Sequence, residues 1–216
     1  MSLFDIMERL IELANQIKDV ELRKRVIDYL KNPTPSHKDF KKYPKEDIKK
    51  AKTPFSVGNA GTVKRDVLNH TIAVTELCIR TAEVAEKNFD VKVNKDHLIA
   101  GALLHDIMKI FEWKLDKDGD PEHTGILLDH SFLGVAELYY RGFPERVIHM
   151  VASHFGEHGP TPPRNFEALI LHHVDNMMAL AEFYHSAGST QKSHEHGMPI
   201  LVLDEETMKK LRESKE

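Results

Sequence analysis

Six side chains that bind metal ions well recur along this sequence: His70, the adjacent pair His105 and Asp106, His130, His154 and Asp175. Each stands in a stretch of helical hydrophobic spacing, on its apolar stripe. His70 has Val67 three residues before it and Val74 four after. His130 has Leu127 and Leu133 three residues to either side, and His154 follows Met150 and Val151 by four and three. Asp175 has Leu171 four before and Met178 three after. In "ALLHDIMK", residues 102–109, an imidazole, a carboxylate and an ammonium group share one apolar stretch, with Lys109 at i+4 from His105 and i+3 from Asp106.

Burying such groups without partners costs several kcal/mol each, by the order of magnitude for desolvated polar groups and charges. A single inward histidine is ordinarily a hydrogen-bonded core residue. Six inward ligand-type groups in one core are hard to satisfy pairwise, and a metal centre satisfies them together. Two ions suit six ligands better than one. Histidine and aspartate donors point to iron, manganese, zinc, nickel or cobalt rather than to calcium or magnesium alone. Asp106 is the natural bridge between ions roughly 3.5–4 Å apart. Such a pair acts as a Lewis acid and acidifies water, and Asp106 and Lys109, on one helical face, are the catalytic candidates.

Lys109 is also the first candidate for binding substrate, with Lys64 and Arg65 just before the His70 helix, and His158 and Arg164 flanking His154 in a loop. His172, three residues before Asp175, is placed to orient that carboxylate. His194 and His196 fall in a loop and are expected to be uninvolved.

The elements that must position these groups are helical. Helical spacing runs from Leu3 to about Leu30 with a break near Lys18–Asp19, from Asp66 to about Lys87, through the helix of "ALLHDIMK", and over about 128–140, 144–156 and 165–187. "NPTP" at 32–35 ends the first region, and Gly142 and Gly156 suit helix ends. "TPFSVGNAGTVKR" and "LDKDGDPEHTG" read as loops, and the latter has the wrong acidic spacing for a calcium loop. "MPILVLD" is a candidate short strand, and a short helix is expected after Asp204. The fold class is therefore all-α, without internal repeats.

The chain has 216 residues, 41% hydrophobic and 30% charged, enough for one substantial core. No apolar run approaches the roughly 20 residues that span a bilayer, and acids within the first apolar pattern argue against a secretory leader. Net charge is −4, so there is no general basic field for nucleic acid. Residues 37–52 are lysine-rich and read as a solvated segment or a basic rim near an anionic ligand. The single cysteine, Cys78, excludes an internal disulfide, suits the reducing cytoplasm and reads as core packing. Histidine is the outlier, with 14 residues.

A histidine, then an adjacent His-Asp, then a distal aspartate is the signature of the HD-domain superfamily, and His70, His105–Asp106 and Asp175 resemble it over roughly residues 60–187. The resemblance implies a helical bundle with a five-helix metal-binding core, here with an added N-terminal helix. His130 and His154 resemble the two-metal branch. There one ion is held at the positions matching His70, His105, Asp106 and Asp175, and the other at those matching Asp106, His130 and His154. Phe155 stands where relatives with a third ion carry a histidine. The stretch 152–179 is similar to the HD domain of bacterial 3′→5′ exoribonucleases and to archaeal enzymes that open a pterin 2′,3′-cyclic phosphate.

The resemblance implies a metal-dependent phosphohydrolase, foremost a phosphodiesterase acting on a nucleotide-like or cyclic phosphate ester. Its alternatives are a 3′→5′ exoribonuclease, a di-iron oxygenase with the same ligands, and a non-catalytic nucleotide-binding regulatory domain. The implied organisation is an N-terminal helix and basic loop over 1–59, an HD domain over 60–190, and a C-terminal loop and short helix over 191–216. The expected partner is a small phosphorylated substrate, a nucleotide or pterin cyclic phosphate, with short RNA and self-association left open and no membrane.

Overall fold

The computed structural model describes residues 3–57 and 61–190. Eight α-helices make up its frame: α1 (Leu3–Ala14), α2 (Val20–Lys31), α3 (Val67–Asn88), α4 (Lys95–Leu104), α5 (Lys109–Glu112), α6 (His130–Tyr140), α7 (Glu145–Ser153) and α8 (Phe166–Thr190). Side-chain caps fix several starts. Asp19, Asp66, Asn94 and Asp129 each accept a backbone N–H from the first turn of α2, α3, α4 and α6. Among the described residues no helix is long and apolar enough to cross a membrane.

Helix α4 is the centre of the bundle. Leu98 to Leu104 are all buried, so it is apolar all round rather than amphipathic. Helices α1, α2, α3, α7 and α8 pack around it. Gly101 lets α7 approach closely, because a Cβ there would stand 2.7 Å from Met150 Cε. Helix α2 braces the segment after α4: the buried Tyr29 hydroxyl donates to Met108 Sδ at 2.9 Å.

Three local features differ from the sequence expectation. First, both segments read as loops contain antiparallel hairpins, β1 (Lys52–Ser56) with β2 (Thr62–Asp66), and β3 (Trp113–Leu115) with β4 (Pro121–His123). Strands of three to five residues are too short to show alternation against a helical background. Second, "ALLHDIMK" is not one helix. α4 stops at Leu104, and the chain continues through i→i−3 bonds from Ile107 to Leu104, Lys109 to Asp106 and Phe111 to Met108. Third, Leu127 is 91% exposed, so it forms no part of a stripe under His130; His130 is instead the first residue of α6, with Leu133 buried one turn on. The candidate strand "MPILVLD", the helix after Asp204, and His194 and His196 lie outside the described residues.

Candidate metal centre

Five helices bring the six candidate ligands to one place. His70 comes from the first turns of α3 and His130 from the start of α6. His105 and His154 are the C-cap residues of α4 and α7, and Asp175 lies within α8. His70, His105, Asp106 and His154 are at most 1% exposed, and His130 is 5%.

The imidazoles are oriented from behind in two ways. The last carbonyls of a helix have no intrahelical partner, and both C-cap histidines use one. His105 Nδ1 donates to Ala102 O at 2.8 Å, and His154 Nδ1 donates to Val151 O at 2.7 Å, each three residues back. The other two meet carboxylates. His130 Nδ1 donates to Glu112 at 2.6 Å, and His70 Nδ1 donates to Glu182 at 3.1 Å. With Nδ1 carrying the hydrogen, Nε2 of each ring presents a lone pair to the centre.

Asp106 stands between two sets of these lone pairs. Its Oδ2 is 3.5 Å from His105 Nε2 and 3.8 Å from His70 Nε2. Asp175 Oδ1 joins that set, 2.8 Å from His70 Nε2 and 3.8 Å from His105 Nε2. Asp106 Oδ1 faces the other set, 3.3 Å from His130 Nε2 and 3.9 Å from His154 Nε2. In each triad, His70–His105–Asp106 and Asp106–His130–His154, one ligand atom per residue lies within 4.8 Å of the others.

His105 Nε2, Asp106 Oδ1, His130 Nε2 and His154 Nε2 are buried without a hydrogen-bond partner among the described residues. These are mutually facing acceptors, and one water can offer only two hydrogens to them. A cation of the transition series, which prefers imidazole and carboxylate, fits this donor set. Side chains alone leave these four atoms unsatisfied, whereas His70 and Asp175 pair with each other.

Two cations flank the bridging carboxylate on its Oδ2 side. Lys109 Nζ is 2.7 Å from Oδ2 and Arg65 Nη2 is 3.3 Å, both side chains being buried. Arg65 also lies over the Phe55 ring, 5.2 Å from its centroid, and its Nη1 is 3.4 Å from His70 Nε2. Burial opposes ionisation of Asp106, but Lys109 and His105 outweigh it and hold the carboxyl well below the usual range. Asp175 is likewise held low, its burial outweighed by the neighbouring imidazoles of His105 and His70. Burial, together with neighbouring imidazoles, pulls His154 down to about 3, so it stays a neutral imidazole at physiological pH. Burial and Arg65 lower Lys109.

The remaining sequence candidates divide. Lys109 and Arg65 reach the cluster. Lys64 is half-exposed and its ammonium pairs with Asp120 on the hairpin β3–β4. Arg164 is exposed and its backbone N–H goes to His149 Nε2 at 3.0 Å. The side chain of His158 lies outside the described residues. His172 does orient a candidate ligand, but a different one. Its Nδ1 donates to the carbonyl of His154 at 2.8 Å and its Nε2 is 3.1 Å from Glu157, so it braces the His154 turn and not Asp175. Gly156, at φ +55°, makes room for it.

Glu112 and Glu182 were not foreseen as partners of the histidines. Glu112 follows Lys109 by three residues and reads locally as that lysine's counterion. Glu182 follows Asp175 by seven, two helical turns along one face, which is the signal that could have found it.

The HD domain family model matches residues 67–180. The dihydroneopterin 2′,3′-cyclic phosphate phosphodiesterase of Methanocaldococcus jannaschii is 46% identical over 170 residues, which cover 78% of this chain and 67% of that protein. The 3′-5′ exoribonuclease YhaM of Geobacillus sp. is 31% identical over 146 residues, covering 62% of this chain and 44% of that one. No solved structure matches. With the matched region enclosing all six ligand-type side chains, this chain belongs to the HD domain family.

Proposed function

We propose that the protein is a phosphodiesterase with two divalent transition-metal ions at this centre, and that its substrate is a small cyclic phosphate diester. The observation that carries the proposal is the pair of triads sharing Asp106, the one on Oδ1 made wholly of unpartnered buried atoms and the one on Oδ2 containing the unpartnered His105 Nε2. When bound, such ions act as Lewis acids on a phosphate oxygen and lower the pKa of water.

His70, His105 and Asp175 with Asp106 Oδ2 would hold one ion, and His130 and His154 with Asp106 Oδ1 the other. Charge supports that number. Glu112, Glu182, Asp106 and Asp175 contribute four negative charges, and Lys109 and Arg65 two positive ones. With neutral imidazoles the cluster carries −2; two divalent ions bring it to +2, which a monoanionic cyclic diester and one hydroxide together balance. Lys109 and Arg65 supply positive charge beside the bridge, where charge on a transferring phosphoryl group is stabilised. Both curated relatives are named for cleaving phosphodiesters, which favours hydrolysis over the oxygenase and non-catalytic alternatives. The name of the M. jannaschii relative supports a cyclic phosphate, including a pterin one.

The test is anaerobic reconstitution with Mn²⁺ or Fe²⁺, followed by assay on 2′,3′-cyclic phosphates and a model diester. A metal-dependent release of phosphomonoester without O₂ is expected. Lys109→Ala is expected to keep its metal and lose about 10²-fold in kcat, the scale for one preorganised charge partner. A protein loaded with two ions that cleaves no diester overturns the proposal; a Lys109→Ala enzyme with wild-type turnover removes Lys109 from it.

A further inference from the structure

The two halves of the centre are built to one plan with one difference. Each has an imidazole backed by a carbonyl, His105 on Ala102 and His154 on Val151. Each has an imidazole backed by a glutamate, His70 on Glu182 and His130 on Glu112. The half on Asp106 Oδ2 also owns a carboxylate, Asp175. Among the described residues the half on Oδ1 owns none and has only its share of Asp106.

The glutamates differ accordingly. Glu112 is the nearer, at 2.6 Å from His130 Nδ1, and its Oε2 also lies 3.3 Å from the His130 backbone nitrogen. Its side chain is 14% exposed against 27% for Glu182. Glu112 meets Nδ1, so it stands behind the ring and not among the ligands. A carboxylate behind a ligating histidine fixes its tautomer and raises its basicity. It also places a negative charge one ring away from the ion.

We infer that Glu112 is the positioning residue that lets the Oδ1 half hold a metal ion, in the place of the carboxylate that this half lacks, and that Glu182 does the same to a lesser degree for the half that already has Asp175. The inference rests on the two-ion centre proposed above. It predicts an asymmetry that six equivalent ligands would not show: the count of ions at limiting metal depends on a glutamate that touches neither ion nor substrate.

The experiment is a Co²⁺ titration of the metal-free full chain, followed by calorimetry and by the visible absorption of the bound ion. Wild type is expected to take up two equivalents. Glu112→Gln keeps an acceptor for the Nδ1 hydrogen but drops the charge. It is expected to bind one equivalent close to normally and the other about 10–100-fold more weakly, the range for lost outer-sphere partners. Glu182→Gln is expected to weaken one step by less. Thermal melts of the metal-free variants report whether the fold is kept. Should Glu112→Gln fail to fold, Glu112→Asp, which keeps the charge but shortens the reach, is expected to weaken the same single step. Two wild-type steps in either folded Glu112 variant overturn the inference, as does equal weakening of both. Wild type that binds no Co²⁺ overturns the metal centre itself, and wild type that binds two ions without cleaving diesters overturns only the activity.

Discussion

Asp106→Asn tests the electrostatic construction of the core without any assay of activity. In the metal-free protein Asp106 is the counterion of two buried cations, Lys109 at 2.7 Å and Arg65 at 3.3 Å. At an effective dielectric near 20, a pair at that shorter distance gains about 6 kcal/mol of gross Coulomb energy, most of it offset by the desolvation of both charges. Removing one partner does not recover that desolvation, and the cation left behind stays buried. The net loss for breaking a buried pair in this way is roughly 3–5 kcal/mol.

Against a total stability of about 5–15 kcal/mol the variant remains folded but loses much of its margin. At about 2–4 °C per kcal/mol for a chain of this size, the melting temperature of the metal-free protein falls by roughly 6–20 °C. Adding Lys109→Met to Asp106→Asn removes one of the stranded cations and is expected to recover part of the loss, so the double-mutant cycle gives a favourable coupling between 106 and 109. Thermal melts in chelator, with circular dichroism, measure all four proteins. An Asp106→Asn protein as stable as wild type without metal, or strictly additive effects in the cycle, would falsify the view that this carboxylate neutralises the two cations.

Two further outcomes follow from residues around the centre. Gly156→Ala would place a Cβ 2.2 Å from His172 in a left-handed conformation, φ +55°. It is expected to cost about 1–2 kcal/mol for the backbone and a further 1–3 or so for overpacking, with weaker metal binding because His172 holds the His154 turn; an unchanged melting temperature refutes this. His97 is held below its ordinary value, chiefly by burial and against the pull of Glu167. Its neutral form therefore favours the fold: the contribution is intact above the unfolded value near 6.5 and is lost as pH falls from there towards the lowered folded value. Chemical denaturation at pH 7 and pH 5 is expected to show His97→Gln losing less stability than wild type over that interval.

The residue types and the inward faces of the six candidate ligands were legible in the sequence, because the face of a helix follows from local spacing alone. Asp106 as the candidate shared carboxylate was legible from its adjacency to His105. Local spacing could also mislead. Leu127 matches the stripe of His130 on paper and stands in solvent, and "ALLHDIMK" reads as one helix although α4 ends before His105. Which nitrogen of each imidazole faces the centre was decided only by the tertiary structure. So were the pairing of His130 with Glu112 and of His70 with Glu182, the turn of His172 towards His154, the diversion of Lys64 to Asp120, and the two hairpins. The physical reason is range. A helix phase is set by neighbours three and four residues away, whereas the partner of a buried polar atom is whatever group the packing of separate helices brings within about 3 Å, and for His70 that group lies 112 residues further along the chain.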